Sequence, residues 1–345
     1  MEAGRARRPE IDRLKGLAIL GVMLIHAQPL VGTFVGDRIV NRAVPVFLVL
    51  FGMTSELWWA ARGSRRGSLR EWYAGRARRL FVPLWSALAL WWILVAALDL
   101  STATGPGVLV ASALGYLPWI GTGWFVTLVL LLVALFPPVR AAVDRLSAPR
   151  ALALAAAATV VSYLCMFEIN AAGRWLLLAS GPQGGLGGFF YFWIFPPARA
   201  FAIVGGIVLA RRAALDGRLV AASVLALAAG WTLSIRWLDG PRAVEAVAAL
   251  LDVPLTIVLL ALVACPLPGA AARALAWCGV ASWGLYLAQM VIHDGLHAAL
   301  AVGPSEGTPA VPWGYFALLG LGSVALVLAG ASVRHLLGRW DPRLG

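Results

Sequence analysis

The sequence has few charged residues. They make up 13% of its 345 residues, whereas a soluble globular protein has about 25%. Hydrophobic residues make up 61%, and no stretch is polar enough to form a separate soluble domain, although the length would suit two. This composition excludes a soluble protein and predicts a single integral-membrane domain over residues 1–345.

The sequence is also poor in cysteine, and its positive charge is dispersed. Cys165, Cys265 and Cys278 show no metal-binding spacing, so we expect no metal site.

The formal net charge is +12. The basic residues nevertheless lie in short runs between apolar segments, and no basic face with interleaved aromatics is present. We therefore expect no nucleic acid partner and interpret the charge as membrane topology.

Apolar segments that approach the roughly 20 residues needed to cross a bilayer recur along the whole chain. The stretch 107–120 is apolar but short, and we expect it to be re-entrant or interfacial. The first segment lacks a signal-peptidase site and is expected to be retained. The ten predicted transmembrane helices cover residues 15–31, 43–61, 79–98, 122–139, 151–167, 189–210, 219–235, 247–265, 275–300 and 313–337.

The distribution of basic residues supports this count of ten. With a cytoplasmic amino terminus, 22 of the 28 basic residues fall on the cytoplasmic side, as the positive-inside rule requires. An eleventh span would place the later basic loops outside. We therefore expect an all-α polytopic protein of the cytoplasmic (inner) membrane, with both termini in the cytoplasm.

Polar groups at bilayer depth are costly and frequently functional. His26 lies eleven residues beyond Lys15, roughly 16 Å deeper on a helix and near the membrane midplane. That spacing is close to three turns, so Lys15 and His26 share one face, and Asp12 lies close to it. The arrangement suits proton transfer. The alternative is a buried histidine bonded to a neighbouring carbonyl group.

Arg199 is a second polar group within a predicted span. It lies roughly 18 Å from the inner edge, at a depth similar to that of His26. Pro196 and Pro197 precede it and predict a broken span, with a helix that starts near Pro197 and points its positive end into a cavity. Arg199 at that end would form an anion site. The alternative is a structural ion pair with Glu168 or another carboxylate.

An inner loop carries the sequence EWYAGRARRLFVP, in which Arg76 and Arg79 are three residues apart and share a helix face. Paired guanidinium groups suit phosphate oxygens. The alternative, which loop charge alone favours, is a role in topology and lipid headgroup contact. Glu56, near the inner end of the second span, is expected to snorkel or to pair with an arginine.

Two other features offer weaker signals. His293 and His297 have the i,i+4 spacing of a metal-binding pair, with Asp294 between them. No third ligand is evident nearby, so a hydrated outer rim is the favoured interpretation. Trp119 and Trp124 flank a Gly-Thr-Gly turn and are candidates to line a cavity.

Motifs along the chain follow the order found in one family of membrane enzymes. The matching residues are Asp12, Lys15, Gly16 and His26; Arg76, Arg79 and Pro83; Trp124 and Phe125; Arg199, Phe201 and Gly205; and Ser282, Trp283, Tyr286 and Leu287. With these motifs the sequence resembles the membrane acyltransferase 3 family over nearly its whole length. Phe51 and Gln289 depart from the pattern, since members often have serine and histidine there.

The resemblance implies transfer of an acyl group, often acetyl, from cytoplasmic acyl-coenzyme A to a hydroxyl group of an extracytoplasmic or lipid-linked glycan. Acyl-coenzyme A would be a co-substrate, with no permanently bound cofactor. Membrane lipids would be further partners, and a homo-oligomer is possible. His26 is expected to be the general base, with Asp12 as structural support. Lys15, Arg76 and Arg79 are expected to bind the donor phosphates. Arg199 is expected to stabilise charge or orient the acceptor, in a cavity that Trp124 and Tyr286 also line.

Two alternatives to an enzyme stay open. In a transporter or exporter of a lipid-linked glycan or other small molecule, His26 and Arg199 would form a translocation site. The chain could also be a non-catalytic member of an envelope assembly. Turnover of acyl-coenzyme A with a glycan acceptor separates the first interpretation from both alternatives.

Overall fold

The computed structural model describes residues 8–27, 30, 32–62, 69–97, 106–117, 123–176, 190–212, 215–236, 240–299 and 312–340. Within these ranges all regular structure is helical and no strand occurs. The described chain therefore has the predicted all-α architecture. Its fifteen α-helices are α1 Pro9–Ala27, α2 Phe34–Arg38, α3 Ala43–Arg62, α4 Leu69–Ala97, α5 Pro106–Ala113, α6 Trp124–Asp144, α7 Ala148–Leu164, α8 Met166–Leu176, α9 Phe190–Trp193, α10 Ala200–Arg211, α11 Gly217–Arg236, α12 Pro241–Ala264, α13 Gly269–Val280, α14 Ser282–Ala299 and α15 Pro312–Trp340.

Several described helical segments are long and apolar enough to cross a membrane. Two helix pairs, α7 with α8 and α13 with α14, reach that length only together and are bent by 74° and 76°. The protein is thus a multi-pass membrane protein, and its described residues contain six candidate spans, or eight if each bent pair is one span. The six are Phe34–Ala61, Leu69–Ala97, Trp124–Asp144, Gly217–Ile235, Arg242–Ala264 and Trp313–Ser332.

The two other predicted spans, 15–31 and 189–210, contain described helices that are too charged or too short to count as candidate membrane spans. Helix α1 has four charged residues near its start, which shorten its apolar part. The predicted span 189–210 is divided into α9, a 3-10 turn and α10. Helix α5, in the apolar stretch 107–120, has only eight residues. The ten-span topology and the cytoplasmic position of both ends therefore stay predictions.

The predicted spans over 151–167 and 275–300 each contain a sharp bend between two helices. Helices α7 and α8 meet at Cys165, and α13 and α14 meet at Ala281. The backbone N–H of Ala281 ends α13 by donating to the Trp277 carbonyl at 2.9 Å. Both sides of each bend are apolar, so hydropathy alone joins the two helices into one span.

Glycines allow close contact between the helices that carry the predicted polar groups. Gly16 of α1 lies against the Leu275 carbonyl of α13, and Gly279 of α13 lies against the Asp12 carbonyl of α1. A Cβ atom at either glycine would collide with that backbone. Gly206 of α10 lies equally close to the backbone of α3. Small residues of this kind permit tight packing in a bilayer, where lipid tails already solvate apolar side chains.

Four charged side chains join α3, α6 and α10 at ends that the predicted topology places in the cytoplasm. The buried Glu56 carboxylate accepts hydrogen bonds from Arg140 Nε at 2.7 Å and from Arg211 Nε at 3.0 Å. Asp144 contacts the same two arginines at 3.0 and 2.5 Å. The prediction that Glu56 pairs with an arginine is therefore confirmed.

Candidate functional site

A cavity of about 370 Å³ lies inside the helix bundle. Four of the predicted site residues line it together: His26, Trp124, Arg199 and Tyr286. Aliphatic side chains from α1, α3, α11 and α12 complete the wall. The other polar and aromatic lining residues are Asp37, Arg38, Asn41, Arg42, Phe125, Tyr163, Trp193, Trp231 and Glu245.

His26 reaches the cavity from the last turn of α1. Glu10 and Asp12 lie in the first turn of this helix, where negative charge suits the helix dipole. His26 is half-buried, and its ring centroid lies 5.2 Å from that of His293 on α14. The imidazole therefore borders the cavity with a second histidine beside it.

Arg199 lies where the predicted break in the helix occurs. Helix α9 ends at Trp193, a 3-10 turn covers Pro196–Arg199, and α10 begins at Ala200. The two prolines of the turn lack a backbone N–H and prevent a continuous helix. The arginine consequently stands at the start of a new helix and faces the interior of the bundle.

The Arg199 side chain is held in an aromatic cage but is only partly hydrogen-bonded. It is 4% exposed, and its Nη1 donates to the Tyr163 hydroxyl at 2.5 Å. Its Cζ lies 5.1 to 5.6 Å from the ring centres of Tyr163, Phe192 and Trp193. Among the described residues, none accepts a hydrogen bond from Nε or Nη2. Buried donors without acceptors are costly, so both nitrogens are able to donate to a ligand oxygen that reaches them.

Aromatic rings form a continuous part of the cavity wall. The Trp124 ring centroid lies 5.5 Å from that of Trp193 and 5.9 Å from that of Phe125. Phe125 in turn lies 5.1 Å from Tyr286 of α14, and Trp231 of α11 lines another part of the cavity. Flat faces of this kind suit an acyl chain or the C–H face of a sugar.

Arg42 is a polar group of the cavity that was not among the predicted site residues. Its guanidinium donates to both carboxylate oxygens of Asp252 on α12, at 2.7 and 2.8 Å, and to Glu245 at 3.3 Å. The sequence offered one signal for this pair: Asp252 is an acidic residue inside an apolar span, and such residues generally pair with a basic one. Glu168, which the sequence offered as an alternative partner for Arg199, lies 3.4 Å from Arg242 instead. The part of that alternative that named Glu168 is therefore wrong.

The predicted donor-binding arginines lie on α4 and do not line this cavity. Arg76 is half-buried, with its Cζ 4.4 Å from the Trp72 ring centre and its Nη2 donating to the Ser55 hydroxyl at 3.4 Å. Arg79 is exposed. The pair therefore offers one arginine held against an aromatic ring and one that reaches outward.

A short series of contacts joins this part of α4 to the cavity. The indole N–H of Trp283 donates to the carbonyl oxygen of Leu80 at 3.2 Å. The Trp283 ring stacks on Tyr286, with centroids 6.1 Å apart and planes 14° apart, and Tyr286 lines the cavity. Lys15 and Asp12 are half-buried in the first half of α1 and do not line the cavity.

His293 packs against residues of two other helices. Its Nδ1 lies 2.6 Å from the hydroxyl oxygen of Tyr315 on α15, which is also 3.3 Å from the His293 carbonyl oxygen. His293 is half-buried, so the expectation of a hydrated outer rim stays a prediction. The side chains of Asp294 and His297, and all of Trp119, lie outside the described residues. In the described part of the chain, no three His, Cys, Asp or Glu residues are grouped to hold a metal ion.

The fold and the cavity define a multi-pass helical membrane protein whose polar side chains converge inside the bundle. Over residues 8–331, the chain matches the model of the acyltransferase 3 family, described as an acyltransferase domain. Because this match covers nearly the whole chain, the protein belongs to that family and is a membrane acyltransferase. No curated protein and no solved structure shows significant similarity to it.

Proposed function

We propose that the protein transfers an acyl group, most simply acetyl, from cytoplasmic acyl-coenzyme A to a hydroxyl group of an extracytoplasmic or lipid-linked glycan. The observation that carries this proposal is the convergence of His26 and Arg199 on one cavity inside the bundle. Acyl transfer needs a base for the acceptor hydroxyl and hydrogen-bond donors for the carbonyl oxygen. These two side chains supply both.

The proposed reaction uses His26 first as base and then as acid, and Arg199 as the hydrogen-bond donor. The acceptor oxygen attacks the carbonyl carbon of the thioester, and its proton passes to the imidazole of His26. Negative charge develops on the carbonyl oxygen, which the Nε–H and Nη2–H groups of Arg199 would receive, since neither has an acceptor among the described residues. The carbon–sulfur bond then breaks, and His26 returns the proton to the coenzyme A sulfur. An ester and a free thiol are released.

The donor is proposed to bind with its phosphates at Arg76 and Arg79, assisted by Lys15, on the side that the topology places in the cytoplasm. Arg76 Cζ lies 5.9 Å from the Phe51 ring centre. One turn away on α3, the ring of Phe47 lies 6.2 Å from that of Phe125 in the cavity wall. The arm that carries the thioester would follow these rings into the cavity.

The acceptor is proposed to enter from the other end. Asp37, Arg38 and Asn41 line the cavity from α2 and the following 3-10 turn, in a loop that the topology places outside. Together with the Trp231 ring, these side chains offer the hydrogen bonds and the flat surface that a sugar requires. Donor and acceptor would then meet at His26 from opposite sides of the membrane.

The test is acyl transfer by the purified protein in lipid nanodiscs, with acetyl-coenzyme A and a panel of glycan acceptors. Both free thiol and esterified product are measured. His26→Ala is expected to slow transfer about 100-fold or more while the protein stays folded and inserted. His335→Ala, at a histidine outside the family motifs, is the matched control and should act as wild type.

Each alternative gives a distinct result in the same preparation. Near-normal transfer by His26→Ala would mean that another group is the base. If wild type transfers no acyl group but moves a lipid-linked glycan across vesicles, the exporter interpretation replaces the enzyme. If wild type shows neither acyl transfer nor transport, the non-catalytic role in an envelope assembly is the interpretation that remains.

A further inference from the structure

Two residues, His293 and Tyr315, lie in series beside His26 and do not line the cavity. The His26 and His293 ring centroids are 5.2 Å apart, a separation that allows a hydrogen bond between the rings when a nitrogen of each points at the other. His293 is held in turn by Tyr315, whose side chain is buried between α14 and α15. Residues from three helices, α1, α14 and α15, thus form a His–His–Tyr series that ends at the cavity.

One tautomer of His293 satisfies both of its contacts with the Tyr315 hydroxyl. The Tyr315 hydroxyl has one proton and lies near two groups of His293, the carbonyl oxygen at 3.3 Å and Nδ1 at 2.6 Å. A carbonyl oxygen only accepts, whereas Nδ1 donates or accepts according to the tautomer. Both contacts are satisfied when the hydroxyl donates to the carbonyl and Nδ1–H donates to the hydroxyl. The other ring nitrogen of His293, Nε2, is then an acceptor.

We propose that His293 and Tyr315 are positioning residues that fix the tautomer of His26. Nε2 of His293 would accept the N–H of His26, so that the second ring nitrogen of His26 faces the cavity without a proton. Only this form can take a proton from an acceptor hydroxyl; the opposite tautomer would present an N–H and could not act as a base. The inference rests on the proposed role of His26.

The series also suits its place in a membrane. A histidine base is commonly oriented by a hydrogen-bonding partner, often a carboxylate. At bilayer depth a carboxylate would add a charge that is expensive to bury. A neutral imidazole held by a tyrosine orients His26 without that charge. When His26 takes the proton of the acceptor, its N–H toward His293 is unchanged, and the same proton later leaves with the coenzyme A thiol.

The kinetic test compares His293→Leu, His293→Gln and Tyr315→Phe by steady-state transfer. Leucine fills the space without an acceptor, and its kcat should fall about 100-fold, with the KM of both substrates within about twofold of wild type. Glutamine offers an amide oxygen in place of Nε2 and should restore at least about tenfold of that loss. Tyr315→Phe should lower kcat about tenfold. A role in packing alone predicts the reverse order, with leucine active and glutamine impaired.

A second readout does not depend on turnover. The sequence has four histidines, so the ¹⁵N resonances of His26 can be assigned by comparison with His26→Ala. Wild type should show one His26 tautomer, and His293→Leu a mixture of two. A mixture in wild type, or an unprotonated Nδ1 in His293, would overturn the inference.

The two readouts separate this inference from the proposed function. If His26→Ala is inactive while His293→Leu and Tyr315→Phe turn over as fast as wild type, the positioning role is wrong and the base stands. If His26→Ala transfers as fast as wild type, the proposed base fails and the positioning role fails with it.

Discussion

Polar side chains inside the bundle differ in how fully their hydrogen-bonding capacity is met. Arg42 has both carboxylate oxygens of Asp252, and Glu56 has two arginines. Arg199 and Gln289, in contrast, are buried with polar atoms that have no hydrogen-bond partner among the described residues. A buried group whose hydrogen bonds are all made stabilises the contact between helices, whereas one without partners either binds a ligand or destabilises the fold. Substitution of a ligand-binding group should lower activity, whereas substitution of a destabilising group should raise stability.

Arg199 is expected to act through the geometry of its N–H groups and not through charge alone. Arg199→Lys keeps the charge but loses the paired donors and the stacking on Tyr163, Phe192 and Trp193. Its kcat should fall about 100-fold, as when one oxyanion donor is removed. The control is Arg242→Lys, since Arg242 also stacks on a ring, that of Phe167 at 4.3 Å, but lies outside the cavity. If Arg199→Lys turned over as fast as wild type, the positive charge alone would account for the role of Arg199.

Gln289 is expected to cost stability in the absence of a ligand. It is 0% exposed, and neither amide atom has a partner among the described residues. Gln289→Met preserves the length and the helix propensity of the side chain and removes both polar atoms. Because each unsatisfied buried group costs about 1–3 kcal/mol, the variant should unfold at a higher temperature in detergent. A lower unfolding temperature together with lost transfer would show instead that the amide binds a substrate.

Among the helices, the link between the start of α3 and the middle of α12 is expected to depend on one buried ion pair. Asp252→Asn leaves Arg42 with weaker partners and should destabilise the protein by about 3–5 kcal/mol. Glu168→Gln breaks the exposed pair with Arg242 and should cost about 0–1 kcal/mol. Thermal unfolding of both variants in the same detergent measures the difference. Similar losses would mean that water reaches Asp252 and solvates it.

The sequence determines the helices of this fold better than their bends. The break at Pro196 and Pro197 was predictable because proline removes a backbone donor at a known position. The bends at Cys165 and Ala281 have no such local chemistry, and hydropathy measures composition and not direction. Element boundaries in apolar sequence are therefore predictable where a residue forbids the helix, and not where packing bends it.

The same distinction applies to the cavity. His26 and Arg199 were placed at one depth by counting residues along their helices, and both line the cavity. Pairs such as Arg42 with Asp252 and His293 with Tyr315 depend on which helices are lateral neighbours. The first pair is 210 residues apart in sequence. Depth along the membrane normal follows from helical rise, but lateral order in a bundle does not.

Across the whole molecule, the proposed reaction requires a defined orientation, because donor and acceptor reach the cavity from opposite sides. We predict that both termini are cytoplasmic, since this places most basic loops inside. Fusions of a reporter active only in the cytoplasm, and of one active only outside it, should report the cytoplasm at both ends. An external carboxyl terminus would require an odd number of spans and would move the loops after α14 to the opposite side.

Orientation also determines where coenzyme A binds. Arg76 and Arg79 should then face the cytoplasm, and their loss should weaken the donor more than the acceptor. Each charge-assisted contact to a phosphate is worth about 1.5–3 kcal/mol. The variant with Arg76→Ala and Arg79→Ala should therefore bind a non-hydrolysable acyl-coenzyme A analogue at least about tenfold more weakly. The KM of the acceptor should stay within about twofold of wild type, because the acceptor enters from the other end.

A matched variant separates phosphate recognition from general charge. Arg145 and Arg150 are exposed on the same predicted side, at the junction of α6 and α7, and do not line the cavity. Replacing both with alanine removes the same charge and should leave analogue affinity within about twofold of wild type. Calorimetric titrations at two salt concentrations should show a smaller salt dependence only in the first variant, because it has lost contacts to the phosphates. Equal affinities in wild type and both variants would mean that Arg76 and Arg79 serve topology alone, and that the donor phosphates bind elsewhere on the inner surface.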